Sequence, residues 1–234
     1  MKKLKFTFKN AAGEELAGLL ELPENPKAFA LLAHCFTCGK DLKGAARIAR
    51  KLTENAIAVL RFDFTGLGNS EGDFSNTNFS SNISDLLCAV DYLRRQYEAP
   101  SLLIGHSLGG SAILSIAGEV PEAKAVVTIG SPGELTHVKR LFKDDVENIN
   151  QHGAYPVELA GRVFTLKKQM LDNIQEHKIA HKVFAMNKPL LIFHATEDDT
   201  VLIEQAEKIF KAAKHPKSFI SLGKADHLLT HAQD

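Results

Sequence analysis

Short apolar runs alternate along this chain with stretches of helical periodicity, a pattern that predicts a mostly parallel sheet with helices on both faces. Leu4 to Phe8 and Leu16 to Leu22 flank the turn Asn10-Ala11-Ala12-Gly13 and read as an opening antiparallel hairpin. Ala28 to Ala33 is a buried strand, and residues 41–55 follow with Ala45, Ile48, Ala49 and Leu52 on one helical face. Ile57 to Phe62 is the next strand, a polar stretch runs from Gly66 to Asn82, and a helix is expected from Ile83 to Tyr97. Ser101 to Ile104 runs as a strand into Gly105-His106-Ser107, a helix begins at Leu108, and Ala125 to Ile129 is another strand.

Residues 132–188 break this rhythm. They carry charge clusters such as Lys143-Asp144-Asp145 and hold no continuous apolar strand, so they read as an excursion out of the sheet. Within them Tyr155 to Leu159 and Arg162 to Leu166 bracket Ala160-Gly161 as a short exposed hairpin. The rhythm resumes with a strand from Pro189 to Phe193, a helix over 202–213 and a strand from Lys217 to Leu222.

A single domain over 1–234 accommodates all of this. A chain of that length buries about 70% of its unfolded surface, so its core needs neither disulfides nor a metal. Lys+Arg and Asp+Glu are both 28, which leaves no net field to recruit nucleic acid or an anionic membrane. The N-terminus is basic without the apolar stretch of a signal peptide, and no apolar run approaches the ~20 residues of a membrane span. Three cysteines make no secreted disulfide framework, so a cytoplasmic protein is expected.

The chemistry centres on Gly105-His106-Ser107-Leu108-Gly109, a Gly-x-Ser-x-Gly between an expected strand and an expected helix. Such a turn is tight, so its neighbours must be small, and it lifts the Ser107 hydroxyl clear of the sheet. It also aims the backbone N–H of Leu108, at the helix start, toward a developing oxyanion. The plainer alternative is a serine capping a helix. A serine nucleophile needs a base and an orienting acid, in chain order Ser, Asp or Glu, His. Past the strand ending at Phe193 come Glu197, Asp198 and Asp199, and past the last strand comes His227. Both loops lie at strand C-termini, the edge where open α/β sheets hold their sites. Of ten histidines, His227 alone occupies the loop after the final strand. Three residues in the required order favour a triad over a cap, with the acid open among three neighbours.

These residues carry a resemblance. His34-Cys35-Phe36-Thr37, the run Arg61 to Ser70, Gly105 to Gly110 and Ala225-Asp226-His227 resemble, in order, the landmarks of the serine hydrolases of the α/β-hydrolase superfamily. The stretches Phe62 to Phe74 and Lys214 to Phe219 look most like the hydrolase half of proteins that carry a C-terminal OsmC-like domain. Feruloyl and cinnamoyl esterases are more distant look-alikes.

The resemblance implies Asp198 as the acid and the N–H of Phe36 as second oxyanion donor. It implies cleavage of an ester-like acyl bond of a small molecule, with no cofactor or metal, and a lid formed by 132–188 whose apolar residues, such as Phe164 and Met170, shape the acyl pocket. A thioesterase or aminopeptidase on the same triad, or a redox-partner module of an OsmC-like domain, are the alternatives. Two departures stand out. Cys35 occupies a position that is usually Gly, and the chain ends seven residues after His227, where the fold normally adds a closing helix.

Cys35-Phe36-Thr37-Cys38 is a Cys-x-x-Cys beside the expected oxyanion loop. The plain reading is two small residues packing a loop. The sharper one is a redox pair whose disulfide would misaim the Phe36 N–H and slow turnover until reduced. The flanking order is not that of a thioredoxin, and zinc would lack ligands.

Overall fold

The computed structural model describes residues 1–35, 37–159 and 161–231. The opening hairpin is β1 (Lys2–Lys9) and β2 (Glu15–Leu22), paired in register from Lys2 against Leu22 to Lys9 against Glu15. β3 (Ala28–Ala33), α1 (Lys43–Glu54), β4 (Ile57–Phe62), α2 (Phe79–Gln96), β5 (Leu102–His106), α3 (Leu108–Ile116) and β6 (Ala125–Ile129) follow. After the excursion come β9 (Leu190–His194), α7 (Glu204–Ala212) and β10 (Lys217–Ser221). These strands form one eight-stranded sheet in the order β1-β2-β4-β3-β5-β6-β9-β10, in which β2 alone runs against the others. This is the α/β-hydrolase fold.

Strand alternation divides the apolar side chains between two cores. Phe29, Leu31 and Ala33 of β3 enter the main core with residues of α2, α3 and α7, while Ala30 and Leu32 enter a smaller cluster with Ala45 and Ala49 of α1. Central strands buried on both sides read as near-continuous apolar runs. β4 nonetheless carries Arg61, which is buried against Glu21 of β2 at 2.5 Å and also donates to the Lys40 carbonyl. A buried charge of that kind is tolerated because it is paired.

The excursion is an expected segment with unexpected content. It holds a 3-10 run over Leu135–Asp145, α4 (Val146–His152), the hairpin β7 (Ala154–Leu159) and β8 (Arg162–Lys167), α5 (Lys168–Glu176) and α6 (Ile179–Met186). The hairpin forms its own two-stranded sheet, apart from the large one. Phe164 and Met170 point into the main core, Phe164 against Phe74 at 4.9 Å between ring centroids, so changes there act first on stability. Among the described residues no helix is long and apolar enough to cross a membrane.

The strand order locates the functional edge. From β3 the chain steps outward to β4, then crosses back over β3 to form β5 on the other side. The loops after β3 and β5 therefore diverge at the switch point, where open parallel sheets leave a crevice at the strand C-termini. Cys35–Cys38 sits on the first loop and Ser107 on the second.

Candidate active site

Ser107 joins β5 directly to α3 with φ 54° and ψ −130°, a left-handed conformation rare for a residue with a side chain. The turn is held by the Ser107 N–H on the Ile129 carbonyl of β6 at 2.8 Å and the Gly110 N–H on the Ser107 carbonyl at 2.9 Å. Two flanking positions must be glycine for want of space. A Cβ on Gly105 would stand 2.4 Å from the Gly110 Cα, and one on Gly109 would stand 2.2 Å from the His34 carbonyl oxygen. The second contact means that the loop after β3 packs backbone to backbone against the start of α3.

Ser107, His227 and Asp198 form one hydrogen-bonded line. The Ser107 Oγ lies 2.9 Å from His227 Nε2, and His227 Nδ1 lies 2.8 Å from Asp198 Oδ2. An ionised carboxylate only accepts, so the proton between them sits on Nδ1, and Nε2 is left to accept from the serine hydroxyl. The other Asp198 oxygen accepts the N–H groups of Thr200 at 3.0 Å and Val201 at 2.9 Å. Burial would raise the Asp198 pKa, but its hydrogen bond and charge interaction with His227 and the Val201 N–H outweigh burial and hold it below the ordinary carboxylate value. The two other acid candidates point elsewhere. Asp199 is exposed and accepts from its neighbour Thr200, and Glu197 is exposed beside Lys224.

Leu108 is the first residue of α3, so its N–H has no partner within the helix and carries the positive end of the helix dipole. Phe36, the other expected donor, lies outside the described residues. On either side of it Cys35 and Cys38 form a disulfide with 5.4 Å between Cα atoms. Beyond that bridge the loop is fixed by Asp63, which accepts the Lys40 N–H at 2.7 Å and the Lys40 ammonium at 2.6 Å. No group of three or more His, Cys, Asp or Glu able to hold a metal occurs among the described residues.

Three further histidines surround the line, and sequence reasoning gave them no role. Burial lowers the pKa of His34 and His194 and, with the neighbouring His227, presses that of His106 down to about 4. His194 Nε2 donates to the Val201 carbonyl at 2.7 Å, in the same turn that holds Asp198. His106 Nε2 donates to the His227 carbonyl at 2.7 Å. Their one legible signal is position, each at a strand C-terminus beside a candidate residue.

Comparison with known proteins agrees with the fold. The family model described as serine aminopeptidase, S33 (Hydrolase_4) matches residues 24–144, just over half of the chain. The esterase domain of a Rhodothermus marinus protein is 46% identical, with 99% of this chain and 92% of that one aligned at a TM-score of 0.79. Est1E from Butyrivibrio proteoclasticus, solved with ferulic acid bound, shares the fold at a TM-score of 0.84 with 22% identity, over 97% of this chain and 93% of that one. The mitochondrial palmitoyl-protein thioesterase ABHD10 of Bos taurus is 26% identical over 151 residues, 62% of this chain and 48% of that protein. The chain thus spans about half the length of the curated relatives it matches.

Proposed function

Because the chain belongs to the serine aminopeptidase S33 (Hydrolase_4) family of α/β-hydrolases and is esterase-like along nearly its whole length, we propose that it hydrolyses carboxylic esters of small molecules through an acyl-enzyme on Ser107. The observation that carries this reading is the unbroken line from Ser107 Oγ to Asp198, at 2.9 and 2.8 Å. His227 takes the hydroxyl proton through Nε2 as Ser107 Oγ bonds to the ester carbonyl carbon. Asp198 holds the imidazole tautomer and offsets the imidazolium charge. The oxyanion is met by the N–H groups of Leu108 and Phe36, and collapse expels the alcohol with the proton that His227 returns. Water, losing its proton to His227, then attacks the acyl-enzyme and releases the acid and free Ser107. No cofactor or metal enters these steps.

The 132–188 excursion acts in this reading as the lid over the acyl pocket. It leaves the sheet just past β6, and its first turn is tied to the acid loop and to α7: His137 Nε2 donates to the Thr200 carbonyl at 3.2 Å, and Gln205 Oε1 of α7 accepts the Gly133 and Glu134 N–H groups at 3.1 and 3.0 Å. Removing the His137 tie with His137→Ala is expected to change the ratio of kcat/KM between long and short acyl esters. An unchanged ratio removes the lid role.

The Cys35–Cys38 bridge acts as a redox-sensitive constraint that turns the Phe36 N–H away from the oxyanion until it is reduced. A dithiol reductant transfers two electrons to it, leaving two thiols and a cyclic disulfide of the reductant. Resemblance extends the proposal to an OsmC-like domain as associated partner, testable by adding such a domain and following ester turnover.

A thioesterase is the second reading, favoured by the likeness to the palmitoyl-protein thioesterases. A redox-partner module would not need an assembled line at Ser107. One panel decides among the enzyme readings: p-nitrophenyl esters of rising acyl length, methyl ferulate, a palmitoyl thioester and an aminoacyl p-nitroanilide. The expected result is highest kcat/KM on an ester, and highest on the thioester or the anilide replaces the ester assignment.

A further inference from the structure

We propose that His106 is a positioning residue for the reaction at Ser107: its ring clamps the main chain of His227 to the end of β5 and so sets where the base stands over the nucleophile. The inference rests on the reading of His227 as that base. His106 ends β5 one residue before Ser107, and its Nε2–H reaches the His227 carbonyl oxygen at 2.7 Å, with the two imidazole rings 5.1 Å apart. A carbonyl oxygen only accepts, so the His106 proton is on Nε2.

The loop that carries His227 has few other ties to the sheet. Before it, Thr196 donates through both its N–H and its hydroxyl to the Gly223 carbonyl, at 2.9 and 3.0 Å. After it, Asp226 accepts the N–H of Leu228 at 2.8 Å, a contact internal to the loop, and Arg47 of α1 donates to the carbonyls of Leu229, Thr230 and His231. Between these ends, among the described residues, His106 is the link from the sheet to the backbone of His227 itself. The nucleophile and the base are therefore held by adjacent residues of one rigid strand, although they lie 120 positions apart in the chain.

The surroundings explain why this clamp is a histidine. The ring lies against a small apolar cavity lined by Leu32, Leu42, Ile48, Ile104, Leu228 and Leu229, with His106 Nδ1 left without a partner among the described residues. A charged lysine or arginine there would be desolvated with no carboxylate to pair it. A serine or threonine would be too short to bridge the gap. Imidazole supplies one neutral donor at the needed reach, and burial keeps it neutral across working pH. The orphaned Nδ1 is a cost to stability that a packing residue would not carry.

The test uses the whole chain with His106→Phe, His106→Leu and His106→Gln, His227→Ala as control, and active-site titration so that kcat is counted per folded molecule. Phe and Leu fill the apolar space without a donor, whereas Gln restores an N–H at similar reach. For Phe and Leu the expected result is a fall of about 10- to 10²-fold in kcat with KM changed less than twofold, the penalty of a slightly misplaced catalytic group. The rate of fluorophosphonate labelling should fall in parallel, the thermal midpoint should not, and Gln should recover most of kcat. Unchanged kcat per titrated site in Phe and Leu, or a Gln variant no better than Leu, overturns the proposal. An active His227→Ala would instead overturn the reading of the base beneath it.

Discussion

The two faces of the sheet are built to different depths. On one side α2, α3, α5, α6 and α7 share a core in which Leu86, Leu93, Leu103 and Ile113 are wholly buried. On the other, α1 is the one helix whose residues join the smaller cluster, among the described residues, and beside it lies an open apolar groove of about 770 Å³ lined by Leu52, Leu102, Val127, Leu191, Phe193 and Leu222. The proposed nucleophile belongs to the deep side, since it opens α3, every residue of which is buried. The proposed base belongs to the shallow side, where Leu229 packs on the smaller cluster and Arg47 holds the carbonyls that follow. One partner of the pair is set by dense packing and the other by a handful of hydrogen bonds. Damage to the deep face should therefore read out as lost stability, and damage at the shallow face as lost turnover.

The largest expected effect lies where both sides meet. Ser107→Ala should lower kcat by ~10⁶-fold and Asp198→Asn by ~10⁴-fold with the fold intact, while Asp199→Asn leaves turnover nearly unchanged. Steady-state kinetics with circular dichroism checks this, and a more damaging Asp199 variant would shift the acid by one position.

Next in size is the Cys35–Cys38 bridge on the loop after β3. An oxyanion donor is worth ~10²-fold in kcat, so the oxidised enzyme should be slower by about that factor and recover with dithiothreitol, KM changing little. Cys38→Ser should abolish the response, and Cys88, a free half-buried thiol on α2, should contribute nothing to it. Equal rates before and after reduction would leave the pair as packing residues.

Packing then separates the faces directly. Leu86→Ala on the deep side should cost ~2–5 kcal/mol of stability, with kcat per folded molecule unchanged. Leu52→Ala, at a side chain already partly exposed at the groove, should cost about 1 kcal/mol or less. Urea titrations that gave the two variants the same loss would erase the contrast.

The smallest effect is in pH. His34, His106 and His194 are buried with pKa values lowered from the ordinary value of 6.5. Between about 6.5 and the folded values the unfolded chain binds more protons, so stability falls as pH is lowered through that window. For Asp198 the sign is opposite in origin but alike in result. Its lowered pKa gives stability that is present above the unfolded value of 3.8 and lost as pH falls through the folded one. Urea midpoints should therefore decline from pH 7 to pH 5, and a flat series would contradict burial of the three imidazoles as neutral rings.

Much of this architecture was legible because apolar runs bounded by polar turns leave little choice. Ala28–Ala33, Ile57–Phe62 and Ala125–Ile129 are strands with the boundaries read from sequence. The start of α2 was misplaced at Ile83 because the polar run before it hid a capping box, in which Asn78 and Ser81 satisfy each other's N–H groups and start the helix at Phe79. The helices α4, α5 and α6 were missed because seven to nine residues each give too short a period to recognise. At the site, chain order pointed to Ser107 and His227, but which carboxylate turns inward shows only in the contact of Asp198 with His227, 29 positions away, a tertiary fact. His106 read as a spacer within a motif because its partner carbonyl lies 121 residues away.

The central claim is that Ser107 is the nucleophile, activated through His227. Its most direct measurement is reaction with a fluorophosphonate, followed by peptide mapping of the adduct and repetition with Ser107→Ala and His227→Ala. One adduct per chain on Ser107, absent from Ser107→Ala and formed far more slowly in His227→Ala, is the predicted result. An adduct on any other residue, or labelling that survives Ser107→Ala, would contradict it.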